Sequence, residues 1–133
     1  MLFSFTAFAK PSEALGLTAA QKTWLENHPV IRVAPDIDWP PFERVDDNQQ
    51  YQGMAADYIR LVEEKLGIQF AIEKNKPWSE VVSAVKNQEL DLYSCVAKNQ
   101  DRLEYVNFTR PYLSFPMVMI TTNDVSHIDG IRA

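Results

Sequence analysis

Two stretches of the chain repeat apolar residues at helical spacing. Between Met54 and Leu66, residues Ala55, Tyr58, Ile59, Val62 and Leu66 fall on one stripe. Arg60 and Glu64 are spaced to pair on the other face, and Gly67 stands where a left-handed C-cap is wanted. Trp78, Val81, Val82 and Val85 occupy i, i+3, i+4 and i+7, which predicts a second amphipathic helix. Runs rich in β-branched and aromatic residues lie between and around these helices. Val30 to Ala34 reads as a strand stopped by Pro35, Gln69 to Glu73 as a second, and Leu90 to Val96 as a third. Met117 to Thr121 reads as a fourth, beginning after Pro116.

Less regular segments join them. Thr18 and Gln21 have capping-box spacing, so a short helix should run to about Asn27 and stop before Pro29. Pro35 to Gln50, with three prolines and five acids, reads as a long loop, and Asp101 to Val106 as at most a helical turn or two. The order strand, helix, strand, helix, strand has crossovers long enough only for parallel pairing, which makes the chain α/β.

In an open α/β sheet, ligands bind in the crevice beyond the carboxyl ends of the strands. That rule selects Asp36 to Glu43, Lys74 to Trp78 and Ala97 to Arg102. Trp39, Phe42 and Trp78 would supply flat apolar walls, and Arg102 a planar fork able to grip a carboxylate through two hydrogen bonds. Each has a plainer reading. Trp39 and Phe42 could plug the core, Trp78 fits the apolar stripe of its helix, and Arg102 could be a solvated arginine. The acids Asp36, Asp38, Glu43, Asp46 and Asp47 read as a solvated acidic loop. Cys95, set among Leu92, Tyr93 and Val96, is expected to be buried on the third strand and poorly reactive.

Composition narrows the function. Of 133 residues, 46% are hydrophobic and 23% charged, with a net charge of −5, a globular balance without a basic run for nucleic acid. Gly16, Gly53, Gly67 and Gly130 are too scattered for GxGxxG or a P-loop. With only His28, His127 and Cys95 available, HExxH, zinc knuckles, CxxC and an internal disulfide are excluded. No cofactor or metal is expected. The longest uncharged stretch, Pro111 to Asn123, is 13 residues, short of the roughly 20 that a spanning helix needs. Residues 1–9, MLFSFTAFA, fit either the tail of a secretory signal or an apolar terminus, and Lys10 to Leu17 a linker.

The segments LTAAQKTWLENHPVIRVAPDIDWPPFE, YQGMAADYIRLVEEKLGI and WSEVVSAVKNQELDLYSCVAKNQDRLEYVNFTRPYL occur in that order. Together, Leu17 to Thr122 resembles the first lobe of the family 3 extracellular solute-binding proteins. The likeness is closest to the Venus-flytrap sensor domains that precede membrane-bound histidine kinases and diguanylate cyclases. Gly53 with Asp57, Asp91, and Arg102 followed by FTRPY fall where that family has them. The resemblance implies a three-layer αβα lobe of the type 2 periplasmic-binding fold with a mostly parallel sheet, truncated before the second lobe. It divides the chain into a signal remnant and linker over 1–16, the lobe over 17–122, and the start of an inter-lobe crossover over 123–133.

It also implies that Arg102 holds a ligand α-carboxylate and that Phe42 flanks the ligand. Ala97 and Asn99 fall on positions that usually carry hydroxyl donors, and Ala97 offers none. The candidate ligand-binding set is Asp38, Trp39, Phe42, Trp78, Ala97, Asn99 and Arg102. The implied function is periplasmic, non-enzymatic binding of a small carboxylate-bearing ligand such as an amino acid, for transport or signalling. The alternatives are a non-binding remnant or interaction module of a sensor, and a regulatory lobe of the kind fused to lytic transglycosylases. A lone lobe leaves the ligand open to water on one side, so binding should be about millimolar, near −4 kcal/mol. The exposed cleft face should favour self-association.

Overall fold

The computed structural model describes residues 15–116, 118 and 120–124. The chain forms two compact units, one ending at Ala97 and one starting at Lys98. The first holds α1 (Ala19–Asn27), β1 (Ile31–Ala34), β2 (Asp38–Trp39), β3 (Glu43–Val45), β4 (Tyr51–Gln52), α2 (Met54–Leu66), β5 (Phe70–Ile72), α3 (Trp78–Lys86) and β6 (Leu92–Tyr93). The second holds α4 (Gln100–Leu103).

The expected parallel sheet is present in the order β5-β1-β6, with Ile31 opposite Phe70 and Ala34 opposite Tyr93. The chain moves from β1 to β5 and then back across β1 to β6. Right-handed crossovers in opposite directions put α2 and α3 on opposite faces, which accounts for three layers. The core is made of small side chains: Val33 and Ala34 from the central strand, Ala55 and Ala56 from α2, and Val81, Ala84 and Val85 from α3. Both ends of the α1 capping box are made, Gln21 N–H to the Thr18 hydroxyl at 3.3 Å and Thr18 N–H to Gln21 Oε1 at 2.9 Å. Gly67 is left-handed at φ 68°, and its N–H closes α2 on the Glu63 carbonyl at 2.8 Å.

Several expectations are corrected. The segment expected as a loop over Pro35 to Gln50 folds, with Tyr51 and Gln52, into an antiparallel sheet ordered β2-β3-β4. Its strands of two or three residues are too short to show alternation, and their register comes from turn chemistry. Asp46 Oδ1 accepts from the Asn48 and Gln50 amides at 2.9 and 2.8 Å, folding β3 back onto β4. The third strand shrinks to Leu92–Tyr93. Its flanking amides still bond to β1, Asp91 N–H to the Arg32 carbonyl at 2.9 Å and Ser94 N–H to the Ala34 carbonyl at 3.4 Å. Cys95 is buried as expected, just past the strand rather than on it.

In α2 the buried residues are Ala55 and Ala56, while Tyr58 and Val62 of the expected stripe are exposed. The helix packs against β3 and β4, and its buried residues lie in its first turn. Arg60 pairs with Asp57, one turn back, instead of with Glu64. For the fourth strand, Met117 and Met119 lie outside the described residues, and Val118, Ile120 and Thr121 show no strand. A strand requires a partner ladder for its amides, and the described residues offer these three none. The expectations for residues 1–9 and for most of 123–133 lie outside the described residues.

Candidate functional site

The carboxyl ends of β1, β5 and β6 open into residues 35–37, 73–77 and 94–97. At the first exit Trp39 sits on β2 and Phe42 just before β3. Both are half-buried, with ring centroids 4.6 Å apart and planes tilted by 44°. Such a pair presents a broad apolar wall with one rigid geometry. Asp38 is exposed beside it, its amide on Asp36 Oδ1 at 3.2 Å and its backbone opposite Arg44.

The wall is fastened to α2 through its backbone. Met54 and Ala55 donate their amides to the carbonyls of Pro41 and Phe42 at 3.2 and 2.8 Å. These carbonyls satisfy helix N-terminal donors that Gly53, lacking a side chain, cannot reach. Gly53 has φ 114°, and a Cβ there would lie 2.5 Å from the Phe42 carbonyl oxygen. The glycine is therefore required by both conformation and close approach.

Glu43 is the main departure from the sequence reading. Expected in a solvated acidic loop, it is fully buried. Its Oε1 accepts from the Asp36 amide at 2.8 Å, and its Oε2 from the Tyr51 hydroxyl at 2.7 Å and from the Ser94 hydroxyl. Burial raises its pKa above the ordinary carboxylate range. The three hydrogen bonds oppose that shift, and the charge of nearby Asp36 adds to it. Nothing in the local composition distinguishes Glu43 from Asp46 or Asp47. On a strand of three residues there is no alternation to mark it, and only the fold turns it inward.

At the other exits, Trp78 opens α3 and tilts against Tyr93 at the end of β6, centroids 5.5 Å apart and planes at 41°. Tyr93 belongs to this edge and was not among the expected site residues. The sequence pattern carries the third strand on to Val96, so nothing marks Tyr93 as its carboxyl end. Ala97 is exposed at the end of the first unit. In the second unit Asn99 Oδ1 accepts the Arg102 amide at 2.9 Å, capping α4 and joining two of the expected residues. Arg102 is half-buried. Of the seven candidates, then, the structure brings Trp39 to Phe42 and Asn99 to Arg102, and sets Trp78 against Tyr93.

A second charged group braces the opposite end of the sheet. Asp91 accepts from Arg32 Nε at 2.9 Å and Nη2 at 2.7 Å, and from the Arg32 amide at 2.7 Å. The bidentate Arg32 bond holds the Asp91 carboxyl below its usual range.

Comparison with known proteins agrees with this architecture. Residues 31–128 match the sequence pattern of the bacterial extracellular solute-binding proteins, family 3. The chain is 28% identical over 129 residues to the virulence sensor protein BvgS of Bordetella bronchiseptica, covering 92% of this chain and 10% of BvgS. It therefore spans about a tenth of that relative. The crystal structure of the Bordetella pertussis BvgS periplasmic VFT2 domain superposes with a TM-score of 0.66 at 26% identity, over 72% of this chain and 41% of that one. A protein of Neisseria gonorrhoeae named as a probable histidine-binding protein is 31% identical over 107 residues, 77% of this chain and 39% of its own length. The arginine-bound form of domain 1 of the T. maritima protein TmArgBP shares the fold, with a TM-score of 0.58 at 22% identity, over 67% of this chain and 71% of that one. With the family pattern covering β1 to β6 and the helices α2, α3 and α4, the chain belongs to the family 3 extracellular solute-binding proteins.

Proposed function

We propose that this chain is the ligand-recognition lobe of an extracytoplasmic sensor, binding a small carboxylate-bearing molecule of the amino-acid class and catalysing no reaction. The observation that carries this reading is the Trp39–Phe42 wall at the carboxyl exit of the central strand, fixed to α2 through backbone bonds. Arg102 supplies the carboxylate anchor in this reading, and Trp78 with Tyr93 a second aromatic surface. Support for an amino acid comes from the printed names of the histidine-binding relative and of the arginine-bound TmArgBP domain. The TmArgBP structure also supports recognition by one lobe, since it is a single domain. The length of the BvgS match supports a sensor over a transporter.

The test is a thermal-shift panel of the L-amino acids and short dicarboxylates. A ligand that binds only the folded chain raises Tm, and at millimolar affinity the rise appears only near ligand concentrations of about 10 mM and above. Arg102→Lys keeps the charge and loses the two-pronged geometry, so it should abolish the shift as Arg102→Ala does. A full panel without any shift overturns the reading.

A second reading rests on Tyr58, Leu61 and Val62, which are exposed together on α2. Such a face favours self-association, and sedimentation of the chain at increasing concentration measures it.

A further inference from the structure

The Glu43 carboxyl group ties three segments of the first unit together. Its own backbone lies on β3 opposite Trp39. Its side chain holds the Asp36 amide where the chain leaves β1, the Tyr51 hydroxyl on β4, and the Ser94 hydroxyl where the chain leaves β6. The loop carrying Trp39 and Phe42 is thus anchored at both ends by one residue, at Asp36 through the side chain and at Glu43 through the backbone. Ser94 begins the segment that ends at Ala97. Two of the three exits at the carboxyl edge are consequently held at a fixed spacing by one buried group.

We propose that Glu43 is a positioning residue of the binding edge, setting the placement of the Trp39–Phe42 wall relative to the segment after β6, although no ligand can reach it. A carboxylate suits this task because its two oxygens offer about four acceptor sites, so three donors from three segments can converge on it. An apolar residue in its place would take this shared acceptor away from all three donors at once. The shape of the buried network argues against a purely packing role, since every bond leads to a different segment and two of those segments carry candidate site residues. The inference rests on the binding reading above, and its first readout does not.

The experiment uses the 133-residue chain with Trp24→Phe and Trp78→Phe, leaving Trp39 as the sole indole. Acrylamide quenching of Trp39 is compared among this parent, Glu43→Gln, Ser94→Ala and the core control Val81→Ala, each at a temperature where it is fully folded. Ser94→Ala keeps Glu43 and removes one donor, so it remains informative if Glu43→Gln folds poorly. The expected result is a roughly twofold or larger rise in the quenching constant for Ser94→Ala and Glu43→Gln, with Val81→Ala like the parent. Equal quenching in all four, whatever their melting temperatures, overturns the proposal. In the wild-type background, L-arginine titrated calorimetrically into the same substitutions should bind about tenfold more weakly in the Glu43 and Ser94 variants than in Val81→Ala. If no chain binds arginine, the binding reading for that probe fails and the quenching result still decides the role of Glu43.

Discussion

The backbone of Phe42 lies directly against Gly53, so close that a methyl group on the glycine would stand 2.5 Å from the Phe42 carbonyl oxygen. Half of the aromatic wall is thereby fixed to the start of α2, whose amides bond to the same stretch of backbone. Gly53→Ala must both adopt φ 114° and push Phe42 away. We expect a loss of about 1–3 kcal/mol in stability, read from urea midpoints. Any ligand that stabilises the wild type should stabilise this variant less. An alanine variant of unchanged midpoint would show that the contact relaxes without strain.

Asp91 and Arg32 predict an acid limb to stability. The folded-state pKa of Asp91 is lowered, chiefly by the Arg32 side-chain hydrogen bonds, with the charge of His28 a smaller contribution. The stabilisation is therefore fully present above the ordinary aspartate pKa and disappears as pH falls through the lowered value. Asp91→Asn should be less stable than wild type at neutral pH, and the gap should close in strong acid. A gap independent of pH would assign the loss to backbone packing alone.

Glu43 has the opposite sign. Its folded-state pKa is raised, mainly by burial, so the unfolded chain releases its proton first as pH increases. Its contribution to stability should decline as pH rises from the ordinary glutamate value through the raised one. Glu43→Gln cannot ionise, so the wild type should lose ground to it across that window. Denaturant melts of the two chains at a series of pH values measure the difference. A wild type that gains on the variant as pH rises would contradict the buried, burial-dominated carboxyl described here.

Cys95 is buried beside Ser94, immediately after β6. Its labelling by a thiol reagent should be slow in the native chain and fast in denaturant. Native labelling as fast as that of the unfolded chain would show that the segment after β6 is not packed as described.

The parallel frame was legible in the sequence because its elements carry their own signals. The Thr18–Gln21 box, the Gly67 cap and the spacing of Val81 and Val85 are local chemistry, and each is found in place. The β2-β3-β4 sheet was not legible, because strands of two or three residues have no period to read. Glu43 was missed for a related reason: composition treats five acids alike, and only the fold turns one of them inward. The same holds for Tyr93, which meets Trp78 only once β6 lies beside β1. In α2 the stripe was read correctly as helix, but burial falls on Ala55 and Ala56 in the first turn, while Tyr58 and Val62 are exposed.

The three tryptophans allow the central claim to be tested in one spectrum. Trp39 and Trp78 lie at the carboxyl edge, while Trp24 is stacked on His28 in α1, centroids 4.1 Å apart. In a 1H–15N spectrum of the labelled chain, each contributes one indole N–H signal. On titration with the amino acid that gives the largest thermal shift, the Trp39 and Trp78 indole signals should move together along one binding curve, with Trp24 unmoved. Movement of Trp24 alone, or saturation with the Trp39 and Trp78 signals unchanged, would place recognition elsewhere and contradict this account of the lobe.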